Sequence, residues 1–173
     1  FCLVGSEMCI RDRGRHDQYN ELFPGMIEDW RKRWGETFPF YFVQIAPFKY
    51  NADPKMNISQ KLRDSQRKSQ KVPKTGMVVT LDIGDYTNIH PANKQEVGMR
   101  LARLALVNNY NSDLNPLGPI LINSSIVNGG VRLDFSNVGS GLVLKMNKGN
   151  EFEIANNMME FVEAEVSVDT VSY

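Results

Sequence analysis

Residues 75–84, TGMVVTLDIG, and the segment DYTNIHP at 85–91 decide the fold. The first stretch is rich in β-branched and aliphatic residues, which is typical of a buried strand, and a helix follows from Asn93. A strand, a loop and a helix in this order form one step of a parallel α/β sheet, whose ligands bind beyond the carboxyl ends of the strands. His90 lies in this loop, where an enzyme of this architecture would carry a general base.

Two aspartates and a helix start surround His90. The second half of the predicted strand places Asp82 and Asp85 at its end. Asn93, followed three residues later by Glu96, forms a capping-box-like pair and predicts that a helix begins there. The apolar positions of this helix form the stripe that we expect to be buried, at Val97, Leu101, Leu104 and Ala105.

Two helices and one strand are predicted upstream of this step. Residues 17–34 carry apolar side chains three and four positions apart, which indicates an amphipathic helix with Trp30 and Trp34 in the core. Residues 40–46, FYFVQIA, are apolar on both faces, as a strand covered by helices requires. A helix from about residue 59 to residue 71 has a narrow apolar stripe and a solvated basic face.

The composition changes after the third helix. Residues 111–119 are rich in Asn, Ser, Pro and Gly, which predicts a domain boundary at about residue 112. Beyond it the apolar period is two, and Asn128, Gly129 and Gly130 stand between two such runs, which indicates a hairpin. The alternation continues to Ile154. We therefore expect an antiparallel, β-sandwich-like module over residues 113–173.

Composition restricts the class of partner. With 173 residues, of which 42% are apolar, the chain could bury about 70% of its unfolded surface. Twenty basic and twenty acidic residues give a net charge of zero, so nothing favours binding to a polyanion through counterion release. No stretch approaches the roughly 20 apolar residues of a membrane span. We expect neither a nucleic-acid partner nor insertion into a membrane.

The two ends of the sequence look incomplete. Residues 1–13, FCLVGSEMCIRDR, fit no periodic pattern and look like translated sequencing-adapter text. Both cysteines, Cys2 and Cys9, fall in this segment, so neither is expected to be a nucleophile or a metal ligand. Residues 166–173 have the pattern of a hairpin cut in its returning strand. We therefore expect a truncated sequence with an artefactual start.

Four segments match, in order, the segments of one enzyme family: YNELFPGMIEDWRKRWG at 19–35, FPFYFVQIAPF at 38–48, LRDSQRKSQKVPKTGM at 62–77 and LDIGDYTNIHPANKQEVG at 81–98. On these residues the chain resembles the sialate O-acetylesterases of the SGNH (GDSL-like) hydrolase superfamily. The resemblance implies the C-terminal part of an SGNH domain, with a flavodoxin-like parallel sheet, over residues 14–112.

The resemblance also implies an activity. The parent protein would hydrolyse O-acetyl esters on carbohydrate, first of all sialic acid, through a serine acyl-enzyme without metal or cofactor. His90 matches the general base of the family, while the serine and the oxyanion donors would precede residue 14, so the fragment itself would be inactive. The superfamily has an aspartate three residues before the base, where this chain has Thr87. A backbone carbonyl or Asp85 would then orient His90, and Asp82 would be structural.

Two alternatives remain open at this point. The parent could be another SGNH carbohydrate deacetylase, of the acetylxylan esterase type, because the residues that choose the sugar lie largely outside this sequence. It could also be a noncatalytic glycan-binding protein that uses the β module. The resemblance implies a periplasmic, secreted or lysosomal location, and the sequence predicts no oligomeric state.

Overall fold

The computed structural model describes residues 15–49, 57–143, 153–155 and 161–168. The segment 1–13 that we interpreted as an artefact lies outside the described residues, as do parts of the predicted β module at 144–152 and 169–173. The chain divides into two compact units that meet in the sequence between Pro116 and Leu117. Within the described ranges, no helix is long and apolar enough to cross a membrane.

The first unit alternates helices and strands. Its elements are α1 (His16–Trp34), β1 (Phe40–Val43), α2 (Asn57–Lys68) with a 3-10 turn at Ser69–Lys71, β2 (Thr75–Val78) and α3 (Lys94–Tyr110). The two strands pair in parallel, with Phe40 opposite Thr75 and Val43 opposite Val78. The predicted α/β class with a parallel sheet is confirmed.

The core of the first unit lies between the helices and this sheet. Each helix contributes one almost fully enclosed aliphatic residue, namely Ile27, Leu62 and Leu104. Phe23 of α1 meets Phe42 of β1 edge to face, with 4.9 Å between the ring centroids. The other buried apolar residues come from the strands and the segments next to them: Ile45, Val72, Met77 and Val78. Removal of this apolar surface from water is the main force that holds the helices on the sheet.

Two expectations about buried helix positions need correction. Trp34 was expected in the core, but it is 71% exposed, because it is the last residue of α1 and Gly35 ends the helix in the left-handed conformation (φ 69°). Its ring lies against Phe38 instead, with 5.4 Å between centroids. On α3, only Leu104 of the predicted stripe is buried, and the remaining three positions are half-buried.

The second unit contains antiparallel pairs. β3 (Ile120–Val127) and β4 (Gly130–Ser136) form a hairpin with Val127 opposite Gly130. Gly129 in the connecting turn has φ 82°, a conformation that favours glycine. Two short strands, β5 (Glu153–Ala155) and β6 (Phe161–Glu163), form another antiparallel pair. The hairpin predicted from the Asn-Gly-Gly sequence is confirmed, and the sandwich arrangement stays a prediction.

Candidate functional site

The loop that joins β2 to α3, residues 79–93, carries His90. It begins at the carboxyl end of a parallel strand and ends at Asn93, whose Oδ1 accepts a hydrogen bond from the Glu96 amide at 3.2 Å. This confirms the predicted helix start. The His90 side chain is exposed at the edge of the sheet where ligands of α/β proteins gather.

β2 is shorter than predicted. We expected a strand that reaches residue 84, but the ladder ends at Val78 because the chain then turns, with the Ile83 amide donating to the Thr80 carbonyl at 3.3 Å. Asp82 and Asp85 therefore lie within the loop rather than at the end of a strand. Both carboxylates therefore follow the end of β2 and precede His90 in the same loop.

Short-range hydrogen bonds shape the backbone around His90. Asp85 Oδ1 accepts from the amide and the hydroxyl of Thr87, each at 2.7 Å, and from the Asn88 amide at 3.1 Å. Asn88 Oδ1 in turn accepts from the His90 amide at 2.9 Å. Such bonds from Asp and Asn to the backbone two residues on are a mechanism that fixes turns without regular structure. The loop is therefore organised locally up to the histidine itself.

These contacts define what Asp85 does. The Thr87 hydroxyl and amide, together with the Asn88 amide, hold the pKa of the Asp85 carboxyl below its usual range because they stabilise the ionised form. Thr87 stands where the resemblance implies an aspartate, and its hydroxyl donates a hydrogen bond to Asp85. The described hydrogen bonds give Asp85 a role in loop shape, and its proposed role toward the His90 ring stays a prediction.

The segment after β1 lies along the His90 loop. The backbone amide of Gln44 donates to the Val78 carbonyl at 2.8 Å, and the Thr80 hydroxyl donates to the backbone carbonyl of Gln44 at 2.9 Å. Farther on, the Lys49 amide donates to the Tyr86 carbonyl at 3.0 Å. The backbone pairing of the sheet is thus continued, irregularly, into the loop.

Gly84 is a point of close approach in this arrangement. A Cβ atom at this position would lie 2.2 Å from Cδ and 3.0 Å from the backbone nitrogen of Pro47. A proline ring and its backbone cannot move aside as a flexible side chain can, so any larger residue would push the two segments apart. Glycine is therefore required here by packing of the loop on the segment after β1.

Two glutamines that the sequence analysis left without a role fix the carboxyl end of β1. Gln66 of α2 is buried, and its Oε1 accepts from the Ile45 amide at 3.0 Å. Gln44 is also buried, and its Nε2 donates to the Arg63 carbonyl at 3.0 Å. Because both side chains are buried, loss of either bond would leave a polar group without a partner. The two bonds therefore fix the position of α2 against the end of β1. For this helix we had predicted only a narrow apolar stripe.

Arg100 of α3 holds the start of the loop. Its guanidinium donates to both carboxylate oxygens of Asp82, at 2.7 and 2.6 Å, and to the Val79 carbonyl at 2.7 Å. It also pairs with Glu96 at 2.9 Å. The hydrogen bond from Arg100 keeps the pKa of the Asp82 carboxyl below its usual range, although burial acts in the opposite direction. The ion pair with Arg100 gives Asp82 the structural role that we expected.

Sequence reasoning missed Arg100, although one local signal was present. Glu96 and Arg100 are four residues apart on a predicted helix, a spacing that favours an ion pair on one face. The contact with Asp82 joins residues 18 positions apart, and no periodic pattern indicates it.

Other candidate features lie elsewhere. Within the part of the chain that the structure describes, no group of three or more His, Cys, Asp or Glu side chains could hold a metal ion. A cavity of about 430 Å³ lies near the amino ends of the strands and is lined by Pro39, Tyr41, Lys74, Thr75, Asn108 and Asn109. It is at the edge of the sheet opposite the His90 loop.

Comparisons with known proteins agree on one group of enzymes. The chain is 35% identical over 102 residues to sialate O-acetylesterases from Mus musculus, Pongo abelii and Homo sapiens, and these alignments cover 49% of the chain. The fold is similar to that of a carbohydrate acetylesterase from Xanthomonas citri, with a TM-score of 0.75 and 35% identity over 88% of this chain and 36% of that one. No family profile matches. The chain spans about a fifth of the length of the curated relatives.

Proposed function

We propose that this chain belongs to the sialate O-acetylesterase family and is part of an enzyme that hydrolyses O-acetyl esters on carbohydrates. The 35% identity to sialate O-acetylesterases and the similarity to a carbohydrate acetylesterase support this proposal. The observation that carries it is the position of His90, exposed on a locally ordered loop that leaves the carboxyl end of a parallel strand. That is the edge of the sheet where substrates of α/β enzymes bind.

In this proposal His90 is the general base. A serine hydroxyl is a weak nucleophile until a base removes its proton as the oxygen bonds to the acetyl carbonyl carbon. The imidazolium then returns the proton to the departing sugar oxygen, and the acetyl group stays on the serine as an ester. In the second half-reaction His90 accepts a proton from the water that attacks the acyl carbonyl carbon, and the imidazolium gives this proton to the serine oxygen as acetate leaves. We assign the serine and the oxyanion donors to a part of the protein outside this chain.

The first candidate substrate is O-acetylated sialic acid, because the curated relatives carry that name. A second candidate is another acetylated glycan, such as acetylxylan, because the similar solved structure is named only as a carbohydrate acetylesterase. Acetate release from matched O-acetyl sialosides and acetylated xylo-oligosaccharides separates the two. A kcat/KM at least tenfold higher for one class would identify it, and equal values would contradict a preference for sialic acid.

The test of the activity is His90→Ala in the full-length protein. Loss of the base should lower kcat on an acetyl ester by roughly four decades while the melting temperature stays nearly unchanged. His16→Gln is the matched control, because it removes the other histidine of the chain, at the start of α1, and should leave kcat unaltered. Asp85→Asn should lower kcat by less than His90→Ala. If His90→Ala loses activity and stability in parallel, His90 is a structural residue and the proposal is wrong.

We also propose that the protein acts outside the cytoplasm, in the periplasm, a lysosome or the external medium. The family resemblance supports this location. Fractionation of cells that express the full-length protein with a C-terminal tag tests it, and recovery of the tag in the cytosolic fraction would contradict it.

A further inference from the structure

We propose that Arg100 positions the general base. It does so by fastening the His90 loop to helix α3. This inference rests on the proposed function, since it assigns to Arg100 an effect on the reaction that His90 would catalyse. Arg100 contacts neither substrate nor reacting atoms in this proposal. It acts only through the geometry of the loop.

Arg100 holds the amino-terminal end of the loop. Its guanidinium reaches the Val79 carbonyl, one residue after β2 ends, and both carboxylate oxygens of Asp82 three residues later. The first residues of the loop are therefore attached to α3. Only 22% of the Arg100 side chain is exposed, compared with 62% for Asp82, so the arginine is the fixed partner of the pair.

The carboxyl-terminal end of the loop is held at the start of α3. Asn93 is the N-cap of α3, and its side chain accepts from the Glu96 amide. Glu96 also pairs with Arg100. Both ends of the segment 83–92 are thus held at the first two turns of one helix, and His90 lies between them. A segment closed in this way has fewer conformations than one that is held at a single end.

An arginine suits this position better than a lysine does. A guanidinium carries five N–H donors in a planar fork, so it can bind a carboxylate with two parallel bonds and still reach a carbonyl and a second carboxylate. The four acceptor atoms of Arg100, two on Asp82 and one each on Glu96 and Val79, use that geometry. Lysine has a single ammonium point charge and cannot reproduce it. Arg100→Lys therefore keeps the charge and loses most of the geometric constraint.

The predicted effect is larger on the rate than on the fold. A partly exposed ion pair contributes little to stability, because water screens it and competes for its hydrogen bonds. A displacement of a catalytic group by about 1 Å, in contrast, can lower the rate by about 100-fold. Arg100→Gln should therefore leave the melting temperature nearly unchanged while kcat falls.

The experiment compares four variants of the full-length protein on an acetyl ester. We expect Arg100→Gln to lower kcat by about 10- to 100-fold with KM changed less than threefold. The reason is that the contacts of Arg100 hold the base within about 1 Å of its place. Asp82→Asn should lose part of that, and the double variant should be no worse than Arg100→Gln alone, since both remove one interaction. Arg100→Lys should recover only a small part of the lost kcat.

Arg33→Gln is the matched control. Arg33 also pairs with a carboxylate, that of Asp29 at 2.6 Å, but through a single bond between exposed residues of α1, away from the loop in the sequence. We expect its kcat, KM and melting temperature to equal those of the unmodified protein.

The outcomes separate this inference from the proposed function. If His90→Ala retains turnover, the proposed function fails. If His90→Ala is inactive while Arg100→Gln keeps kcat within twofold, the function stands and the positioning role is wrong. A fall in kcat of Arg100→Gln that is matched by a fall of many degrees in melting temperature would also overturn it, because Arg100 would then support the whole unit rather than the loop.

Discussion

The two units of the chain use the same residue types in opposite ways. In the first unit, apolar side chains from three helices and two strands enclose one another, and Leu62 is only 1% exposed. In the β3 to β4 hairpin of the second unit, most apolar residues stay exposed: Ile126 is 92% exposed, and only Phe135 is half-buried. The difference teaches that an apolar pattern specifies a strand, while burial of that strand requires a second layer on its face.

Different forces therefore hold the two units. The hairpin relies on its backbone ladder, its glycine turn and a polar cluster in which Asn123 and Arg132 donate to the Asp134 carboxylate at 3.0 and 2.9 Å. These bonds hold the pKa of Asp134 below its usual range, with Arg132 as the main cause. The Asn123 contact joins the two strands, whereas the Arg132 contact runs along β4. Exposed polar contacts of either kind contribute less than buried apolar contacts.

The largest expected effect on the free energy of unfolding comes from a cavity in the core of the first unit. Leu62→Ala should lower the free energy of unfolding of that unit by about 2–5 kcal/mol, because it removes a fully enclosed side chain and leaves a cavity between α2 and the sheet. Chemical denaturation followed by tryptophan fluorescence measures it, since both tryptophans lie on α1. Leu121→Ala in the half-exposed hairpin is the control and should cost much less. A loss below about 1 kcal/mol for Leu62→Ala would mean that the site is less enclosed than described.

The features that sequence reasoning predicted correctly are those decided by neighbours in the chain. The N-cap at Asn93 and the turn at Gly129 each depend on a few consecutive residues and on backbone rules that hold in any protein. The parallel sheet followed from strands without polar faces, which require cover on both sides. His90 could be singled out because its loop lies between two such locally defined elements.

The features that it missed depend on contacts between distant segments. Arg100 reaches Asp82 across a loop whose course no periodicity predicts, and Gly84 meets Pro47 from another segment. Trp34 has the helical spacing of a core residue but lies in the last turn of α1, beyond the cover of the sheet. Spacing predicts which face of a helix is apolar, and it does not predict how far along the helix the neighbouring layer extends.

A smaller effect, at the surface of the first unit, depends on pH. Arg100 lowers the pKa of Asp82 in the folded protein below the unfolded value of about 3.9. The stabilisation is therefore fully present above that pH and is lost as the pH falls through the lower folded pKa. Because the pair is partly exposed, Asp82→Asn should cost less than about 1 kcal/mol at pH 7.

Denaturation at pH 7, 5 and 3 measures this difference between the unmodified protein and Asp82→Asn. The difference should be equal at pH 7 and 5 and should shrink at pH 3. In an Arg100→Gln background, Asp82→Asn should have little effect at any of the three values, which ties the pH dependence to this pair. A difference that grows toward pH 3 would contradict the assignment, because the sign of the linkage would be reversed.

The smallest expected effect sharpens the contrast at the tip of the hairpin. Ile126→Thr should change the free energy of unfolding by no more than about 0.5 kcal/mol, because the side chain is already in water and threonine keeps the β-branched shape that suits a strand. Val78→Thr, the same kind of exchange at a 2% exposed position of β2, should cost about 1–3 kcal/mol, because it buries a hydroxyl. The two variants, measured by the same denaturant titration, compare an exposed with an enclosed strand position directly. If Ile126→Thr costs as much as Val78→Thr, the tip of the hairpin is covered in the folded protein, and the two units would not differ in how they bury apolar residues.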